Sequence, residues 1–275
     1  MIINRIINIY YSATLTTEKV VTEISKEISE KLLENDKEIP NYNFAYPKNR
    51  EGFPKLSASD LVIFALPTYA GRLPNLMLKY LETIEGCGAL AVPVVTYGNR
   101  NFDNSLIELR NILETHNFHT VAAGAFSCEH SFSYELGKGR PDEQDILEIK
   151  DFALKISEKV QALCEIPAPI EVPGDPAAGY YKPQDKDHNF IDIRKAKPKT
   201  TDACSKCGLC IEICPMGAIN PKDPADIVGV CTKCCACFKR CPMQAKYFDD
   251  EGYLYHKKSL EEMYGDKRAS NMIFI

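Results

Sequence analysis

The sequence predicts an α/β fold: a doubly wound parallel sheet of five strands in the order 2-1-3-4-5, followed by a small α+β domain. Three observations lead to this prediction. Residues 1–164 alternate short apolar runs with amphipathic stretches, the pattern of repeated strand–helix units. Residues 165–198 are rich in proline, which is typical of a linker. Cysteines then crowd between positions 204 and 241, in a stretch too poor in large apolar residues to build its own core.

The five strands are predicted at residues 2–10, 42–46, 60–66, 90–97 and 120–126. The central ones are apolar enough to be buried on both faces. The first helix follows from Val20, Ile24, Ile28 and Leu32 at four-residue spacing. The last helix of this part has Ile146, Ile149, Ala153, Ile156 and Val160 on one face. A further amphipathic segment, residues 259–264, is expected to dock as a helix.

Four segments follow from this pattern. Residues 1–164 form the sheet domain and 165–198 the linker. Residues 199–250 form the cysteine-rich domain, which bound metal would have to hold together. Residues 251–275 form a C-terminal extension.

Composition and charge exclude several classes of protein. A chain of 275 residues that is 45% hydrophobic and 26% charged has the make-up of an ordinary soluble protein of one or two domains. A net charge of -5 argues against nucleic-acid binding, which needs clustered Lys and Arg. The amino-terminal segment is interpreted as a buried strand and not a signal peptide, and no apolar run reaches membrane-spanning length. A cytoplasmic location is expected, where thiols stay reduced and cysteines at this spacing indicate metal ligands.

The cysteines form two runs that align at one constant offset. In each run, three cysteines are spaced by two residues, and a fourth follows after three residues and precedes a proline. Three such thiolates can wrap one corner of a cubane 4Fe-4S cluster, while the fourth ligates the other cluster. We therefore assign one cluster to Cys204, Cys207, Cys210 and Cys241, and the other to Cys231, Cys234, Cys237 and Cys214.

Two alternatives concern these cysteines. A zinc site would use four thiolates around one ion, commonly as two separated pairs, and would leave the third cysteine and the Cys-Pro of each run unexplained. Cys235 occupies the place of Gly208 in the first run, and is either a thiol packed against the second cluster or a replacement ligand. Cys87, Cys128 and Cys164 stand alone and are assigned no role. Residues 200–248 resemble the bacterial two-cluster ferredoxin.

Three loops are expected at the carboxyl edge of the sheet. The first is a hydroxyl-rich turn that leads into the first helix, and it contains Ser12, Thr14, Thr16 and Thr17. Unpaired amides at a helix amino terminus, with hydroxyls beside them, suit a phosphate, although ordinary helix capping explains the same residues. The other two loops follow strands 3 and 4. Ligands of open parallel sheets bind where such loops converge.

On these loops the chain resembles the flavodoxin family, and in particular flavodoxin-ferredoxin fusions, whose two domains occur in this order. The resemblance implies that FMN binds here, with Ser12, Thr14, Thr16 and Thr17 holding its phosphate. It also implies that two further loops border the flavin ring, with Tyr69 and Tyr97 as candidate stacking aromatics; these loops contain Pro67, Thr68, Tyr69, Ala70, Gly71, Tyr97, Gly98, Asn99, Arg100, Asn101 and Phe102. Packing of either tyrosine on the sheet edge is the alternative.

Two residues depart from this pattern or stay undecided. Leu15 stands where flavodoxin phosphate loops usually have glycine, so a side chain there would strain the loop if φ is positive. His130, after the fifth strand, could contact the flavin, accept a proton or cap a loop, and the sequence favours a solvated loop histidine.

The functional hypothesis is an electron-transfer protein of anaerobic metabolism, in which FMN and two 4Fe-4S clusters exchange electrons with a partner protein or a small molecule. One alternative is an FMN-dependent reductase acting on a nicotinamide, a deazaflavin or a small substrate, although no second Gly-rich dinucleotide fingerprint is present. Another is a two-cluster ferredoxin with a flavin-free docking domain. No nucleic acid or membrane span is expected, and a homodimer is compatible with the sequence.

Overall fold

A computed structural model describes residues 2–33 and 38–275. The predicted first domain, 1–164, therefore includes two gaps, Met1 and residues 34–37, that lie outside the described residues. The α/β fold with a mostly parallel sheet is confirmed. Of the helices in the described ranges, none is both long and apolar enough to cross a membrane.

The first part of the chain alternates strands and helices. The elements are β1 (Arg5–Tyr10), α1 (Thr16–Leu32), β2 (Asn41–Asn43), β3 (Asp60–Pro67), α2 (Leu78–Leu81), β4 (Leu90–Tyr97), α3 (Ser105–Thr115), β5 (His119–Thr120), β6 (Ala123–Ser127) and α4 (Glu143–Ala162). Short 3-10 turns lie at Pro47–Arg50 and Asn75–Met77. The second part contains β7 (Lys199–Thr200), α5 (Leu209–Glu212), α6 (Ala236–Lys239), β8 (Lys246–Tyr247), α7 (Glu251–Tyr264) and β9 (Met272–Phe274).

Within residues 2–33 and 38–275, the main sheet has seven strands, hydrogen bonded in the order β2-β1-β3-β4-β6-β9, with the short β5 also paired to β4. All pairs except β6–β9 are parallel, as the run of alternating strands and helices requires. The strands at the centre, β3 and β4, are almost completely buried, because helices cover both faces. Strands β7 and β8 form a separate antiparallel pair beside the cysteine runs.

Each face of the sheet has its own apolar core. On one face, α1 and α4 pack their predicted apolar residues against the sheet, and these include Val20, Ile24, Ile28, Ile149 and Ile156. On the other face, the core includes α3 and Ile170 of the linker. It also takes in residues of the cysteine-rich domain, among them Cys234. The two parts of the chain therefore share one core.

Four boundaries differ from the predictions, each for a local reason. Strand β2 ends at Asn43 because Phe44 and Ala45, although buried, enter the turn before Pro47. The predicted fifth strand is split into β5 and β6. Helix α7 begins at Glu251, well before residue 259, because the Asp250 carboxylate accepts a hydrogen bond from the Tyr253 amide at 2.9 Å. The antiparallel edge strand β9 was not predicted, and it returns the C-terminal extension to the first sheet.

Candidate functional site

The loops that follow β1, β3, β4 and β6 meet at the carboxyl edge of the sheet and enclose a cavity, called here the edge cavity. Eight of the residues predicted to bind FMN line it: Thr14, Thr16, Thr17, Pro67, Thr68, Tyr69, Tyr97 and Gly98. Its wall also contains Ala13, Thr96, Cys128, Glu129, His130, Ser131 and, from the cysteine-rich domain, Cys234. Parallel strands bring their carboxyl ends to one edge, which explains the convergence.

The first loop supplies the hydroxyl groups at the amino terminus of α1. Leu15 is the N-cap residue, with φ 72 in the left-handed region, and it is partly exposed. A non-glycine residue there costs about 1–2 kcal/mol. Its side chain offers no capping hydrogen bond to the helix within the described residues. The N-cap residue thus gives the first turn of α1 no side-chain hydrogen bond, and the hydroxyls of Thr14 and Thr16 lie beside this turn in the cavity wall, an arrangement that favours an anion.

Ser12 and Thr17 also stabilise the loop itself. The buried Ser12 hydroxyl accepts a hydrogen bond from the Glu18 amide at 3.0 Å, so Ser12 acts as a structural cap and not as part of the cavity wall. The Thr17 hydroxyl lies 2.8 Å from that of Thr96 at the end of β4. This contact joins the first loop to the third.

The second loop places Tyr69 in the wall and turns Ala70 and Gly71 away from it. The Ala70 carbonyl accepts a hydrogen bond from the Tyr181 amide of the linker at 2.8 Å. Gly71, at φ 78, packs so closely on Asp103 that a Cβ atom would lie 2.7 Å from its carboxylate. The linker therefore binds the outer side of this loop.

The third loop is divided in the same way. Tyr97 and Gly98 line the edge cavity, and the Tyr97 hydroxyl donates to the Ser270 carbonyl at 2.5 Å. The buried Asn99 side chain donates to the carbonyls of Tyr264 and Lys267 at 3.0 and 2.7 Å. The C-terminal segment is thus fastened to this loop.

The other three residues of the third loop take structural positions. Phe102 packs against Tyr97, with 5.8 Å between ring centroids. The Arg100 guanidinium lies 4.9 Å from the centroid of the Tyr181 ring. The Asn101 side chain accepts a hydrogen bond from the Asp103 amide at 2.8 Å.

His130 is not the solvated loop histidine that the sequence favoured. Its ring packs on Gly98, where a Cβ atom would lie 2.2 Å from the ring carbon Cδ2. Burial lowers the pKa of His130 to about 3, and the positive charges of Lys239 and Arg100, with that of His256 when it is protonated, lower it further. The imidazole is therefore neutral at pH 7, and its Nδ1 accepts a hydrogen bond from the Phe132 amide at 3.0 Å.

The two cysteine runs enclose two further cavities. The first cysteine cavity is lined by Cys204, Cys207, Cys210, Cys237 and Cys241. The second cysteine cavity is lined by Cys214, Cys231, Cys234, Cys235 and Cys237. Each wall thus contains the four cysteines assigned together in the sequence, including the one contributed by the other run. Among the three isolated cysteines, Cys87 and Cys164 are exposed, and Cys128 is buried in the wall of the edge cavity.

The backbone repeats as closely as the sequence does. Lys206 and Lys233 both have φ 54, and the helices α5 and α6 both begin after a left-handed residue, Gly208 at φ 79 and Cys235 at φ 60. The fourth cysteine of each run, which is assigned to the other cluster, accepts a hydrogen bond at 3.3 Å from the backbone amide four residues later. The Ala218 amide donates to the Cys214 thiol, and the Ala245 amide donates to the Cys241 thiol. Amides directed at sulfur are typical of cluster ligands.

Cys235 is the buried exception. It holds the left-handed position that glycine holds in the first run, which costs a non-glycine residue about 1–2 kcal/mol. Its thiol lies 3.5 Å from the Tyr253 hydroxyl of α7 and packs with Ala196 and Phe248. Burial raises the pKa of Cys235 to about 12. These contacts connect α7 to the wall of the second cysteine cavity.

The three cavities form a row with shared walls. Cys234 belongs to the wall of both the edge cavity and the second cysteine cavity, and Cys237 belongs to both cysteine cavities. Polar contacts hold the two domains in this arrangement. The Lys239 ammonium lies 2.7 Å from the Glu129 carboxylate, and the Arg50 guanidinium donates to the Pro215 carbonyl at 2.5 Å. In the described part of the chain, no three His, Cys, Asp or Glu side chains form a group that would hold a single metal ion.

The family model of the 4Fe-4S binding domain matches residues 198–220, which include the whole first cysteine run. The match supports a 4Fe-4S cluster in this segment of the chain. No curated protein matches the chain.

Several solved structures are similar to this chain over a little more than half of its length. They include a flavodoxin from the domain Archaea (14% identity, 57% of this chain and 99% of that chain, TM-score 0.40). Oxidised flavodoxin 2 from Bacillus cereus is similar at 17% identity, over 56% of this chain and 99% of that chain, with a TM-score of 0.40. An NADH:FMN oxidoreductase in its apo form is similar at 16% identity, over 58% and 91%, with a TM-score of 0.41. At these TM-scores the α/β fold rests on the sheet topology itself.

Proposed function

We propose that this chain is an electron-transfer protein that binds FMN in the edge cavity and one 4Fe-4S cluster in each cysteine cavity. The observation that carries the proposal is the row of shared walls. Cys234, an assigned ligand of the second cluster, also lines the edge cavity, and Cys237 lines both cysteine cavities. FMN can exchange one or two electrons and each cluster one, so neighbouring sites of this kind suit electron transfer.

The edge cavity has groups that suit both the phosphate and the ring of FMN. The phosphate would lie at the amino terminus of α1 among the hydroxyls of Thr14, Thr16 and Thr17, where amides and the helix dipole favour an anion. Tyr69 and Tyr97 would border the flavin ring. Leu15 offsets part of this fit, because its left-handed backbone is strained.

The cysteine cavities suit two clusters, each with three ligands from one cysteine run and the fourth from the other run. The first run is supported by the family match, whereas the second is supported by its repetition of the same spacing and of the same backbone angles. Cys207 is exposed, while Cys234 is buried beside the edge cavity. We infer that an external redox partner meets the protein at the first cluster.

The test is the cofactor content of the full chain purified without oxygen. The proposal expects about eight irons, about eight sulfides and one FMN per chain. Cys207→Ser should lose about half of the iron and keep FMN. The matched control is Cys164→Ser, at an exposed thiol outside the cavity walls, and it should keep both iron and FMN. About four irons in the parent protein, or bound zinc, would remove the second cluster from the proposal.

A second variant tests the flavin site alone. Leu15→Gly should bind FMN up to about tenfold more tightly, since it removes about 1–2 kcal/mol of backbone strain from the phosphate loop. Fluorescence titration of the flavin-free protein measures this. A protein with eight irons that binds no FMN, with either residue at position 15, would instead be a two-cluster ferredoxin with a docking domain.

A further inference from the structure

His130 follows β6 and forms part of the wall of the edge cavity. Its side chain is partly exposed, and its ring carbon Cδ2 packs on Gly98, where a Cβ atom would lie 2.2 Å away. Gly98 lines the same cavity and belongs to the third loop, which is expected to border the flavin ring. The ring nitrogen Nε2 is bonded to Cδ2 and therefore lies on the side of the imidazole that meets this loop.

The hydrogen bond of the imidazole determines which nitrogen carries the proton. Nδ1 accepts a hydrogen bond from the Phe132 amide at 3.0 Å, so it has no hydrogen of its own. A neutral imidazole has one N–H group, which must then be at Nε2. Burial lowers the pKa of His130 to about 3, so the ring is neutral at pH 7. Nε2 is therefore a hydrogen-bond donor.

The described residues supply no acceptor for this donor. Across residues 2–33 and 38–275, the ring nitrogens of His130 form the one hydrogen bond with Phe132, and Nε2 donates to no protein atom. The acidic side chain in the same wall, Glu129, accepts from the Lys239 ammonium at 2.7 Å and from the Gly139 amide at 3.2 Å. The Nε2 donor thus stays available to a molecule bound in the edge cavity.

The position of the ring is fixed by the elements around it. The His130 amide donates to the Leu136 carbonyl at 3.0 Å, which closes the loop after β6. The Phe132 ring packs edge-on against the imidazole, with 5.1 Å between ring centroids. Phe132 in turn packs on Tyr253 of α7, with 4.8 Å between centroids. A donor that is held in place before binding loses little conformational freedom when a ligand arrives.

We propose that the His130 Nε2–H donates a hydrogen bond to an acceptor of the FMN ring system, either a carbonyl oxygen or a ring nitrogen. This inference rests on the proposed function, because it requires flavin in the edge cavity. Tyr69 and Tyr97 can stack on any planar ring, whereas a fixed donor selects a ring with an acceptor at one place. His130 is thus a residue that determines specificity for flavin.

Two variants separate the two nitrogens of the ring. In His130→Asn, the amide oxygen takes the place of Nδ1 and can still accept from Phe132, but the donor at Nε2 is lost. In His130→Gln, the amide nitrogen takes the place of Nε2 and keeps the donor, while the acceptor at Nδ1 is lost. Each full-length variant is purified without oxygen, freed of flavin and titrated with FMN and with riboflavin by fluorescence. An iron content equal to that of the parent protein shows that the cysteine-rich domain is intact.

His130→Asn should raise the Kd for FMN by up to about tenfold, the effect of one lost hydrogen bond. The Kd for riboflavin should rise by the same factor, because riboflavin has the same ring and no phosphate. His130→Gln should bind both flavins as tightly as the parent protein does.

Three results would overturn the inference and leave the proposed function intact. His130→Asn would bind FMN as tightly as the parent protein, or His130→Gln would bind FMN no more tightly than His130→Asn, which would make the contact with Phe132 the whole role of the ring. A loss of affinity for FMN alone would place His130 at the phosphate. A parent protein that does not bind FMN would contradict the proposed function itself, before any variant is titrated.

Discussion

The two cysteine cavities are built from runs with the same cysteine spacing, yet they have different surroundings. In the first, Cys207 is exposed, and Met243 of the wall also faces solvent. In the second, Cys234 and Cys235 are buried between the sheet domain and α7. The repeated spacing thus determines how each cavity is formed, whereas the tertiary contacts determine which one meets solvent.

The charged and polar neighbours of the two cavities differ as well. Lys246 lies in the wall of the first, where its buried ammonium donates to the Thr200 hydroxyl at 2.7 Å. Beside the second, α7 contributes a neutral group, the Tyr253 hydroxyl. Two clusters of one type would therefore experience different environments, as two sites with different potentials require.

The largest expected effect comes from removing one assigned ligand on each side. Cys234→Ser and Cys207→Ser should each lose about half of the iron. Both variants should lose the stability that the missing cluster supplies, and Cys234→Ser should lose about 2 kcal/mol or more in addition, because it places a hydroxyl in an apolar site of the shared core. Iron content and thermal melting of the helical circular dichroism signal measure the two effects. Equal loss of stability in both variants would argue against the buried position of Cys234.

The second prediction concerns acid sensitivity on the buried side. Burial, together with the charge of Arg100, lowers the pKa of His256 to about 4, against an ordinary value of about 6.5. Between these values the unfolded chain binds more protons, so stability is complete above pH 6.5 and falls as the pH drops toward 4. From pH 7 to pH 5 this group alone should cost about 2 kcal/mol.

Denaturant titrations of the parent protein and of His256→Gln at both pH values test this sign and size. The variant should lose about 2 kcal/mol less than the parent protein on acidification. The same pH dependence in both proteins would mean that His256 is not held neutral by its surroundings.

Substitutions at the two equivalent left-handed positions, Gly208 and Cys235, should have smaller effects on stability. Gly208→Ala should destabilise the protein by about 1–2 kcal/mol, since φ is 79 and the added Cβ meets no atom within 4 Å, so that backbone strain acts alone. Thermal melting with intact iron content checks this. A neutral substitution would show that the first run does not need its left-handed turn.

The reverse change at the equivalent position, Cys235→Gly, should have the smallest effect. Relief of strain is offset by loss of the contacts with Tyr253 and Phe248, so stability should change by less than about 1 kcal/mol. The iron content should stay at the parent value because Cys235 is not an assigned ligand. Loss of half of the iron would make Cys235 a replacement ligand.

Sequence patterns predicted most of the fold where local signals are strong. Unbroken apolar runs located β3 and β4 almost to the residue, because strands buried on both faces need apolar side chains throughout. β2 was misplaced because Phe44 is buried without being in a strand. Strand β9 was missed because three residues carry too short an alternation to be recognised, and its position depends on pairing with β6.

For the candidate site, too, local patterns in the sequence were informative and contacts between distant segments were not. The constant offset of the cysteine runs grouped cysteines that come together in each cavity wall, and their assignment as ligands stays a prediction. The departure from the usual glycine pointed to strain at Leu15, whose φ is 72. Contacts between distant segments have no such signal. Three such contacts are visible only in the folded chain: Asn99 binds the C-terminal segment, His130 packs on Gly98, and Cys234 lines the edge cavity.

The central claim is that three redox sites lie in a row with Cys234 between two of them. An anaerobic crystal structure with anomalous data at the iron edge tests it most directly. The account predicts two four-iron peaks, one bound by Cys204, Cys207, Cys210 and Cys241 and one by Cys231, Cys234, Cys237 and Cys214, with planar flavin density beside Tyr69 and Cys234. A single iron site, a zinc ion, or two clusters with an edge cavity closed to flavin would contradict it.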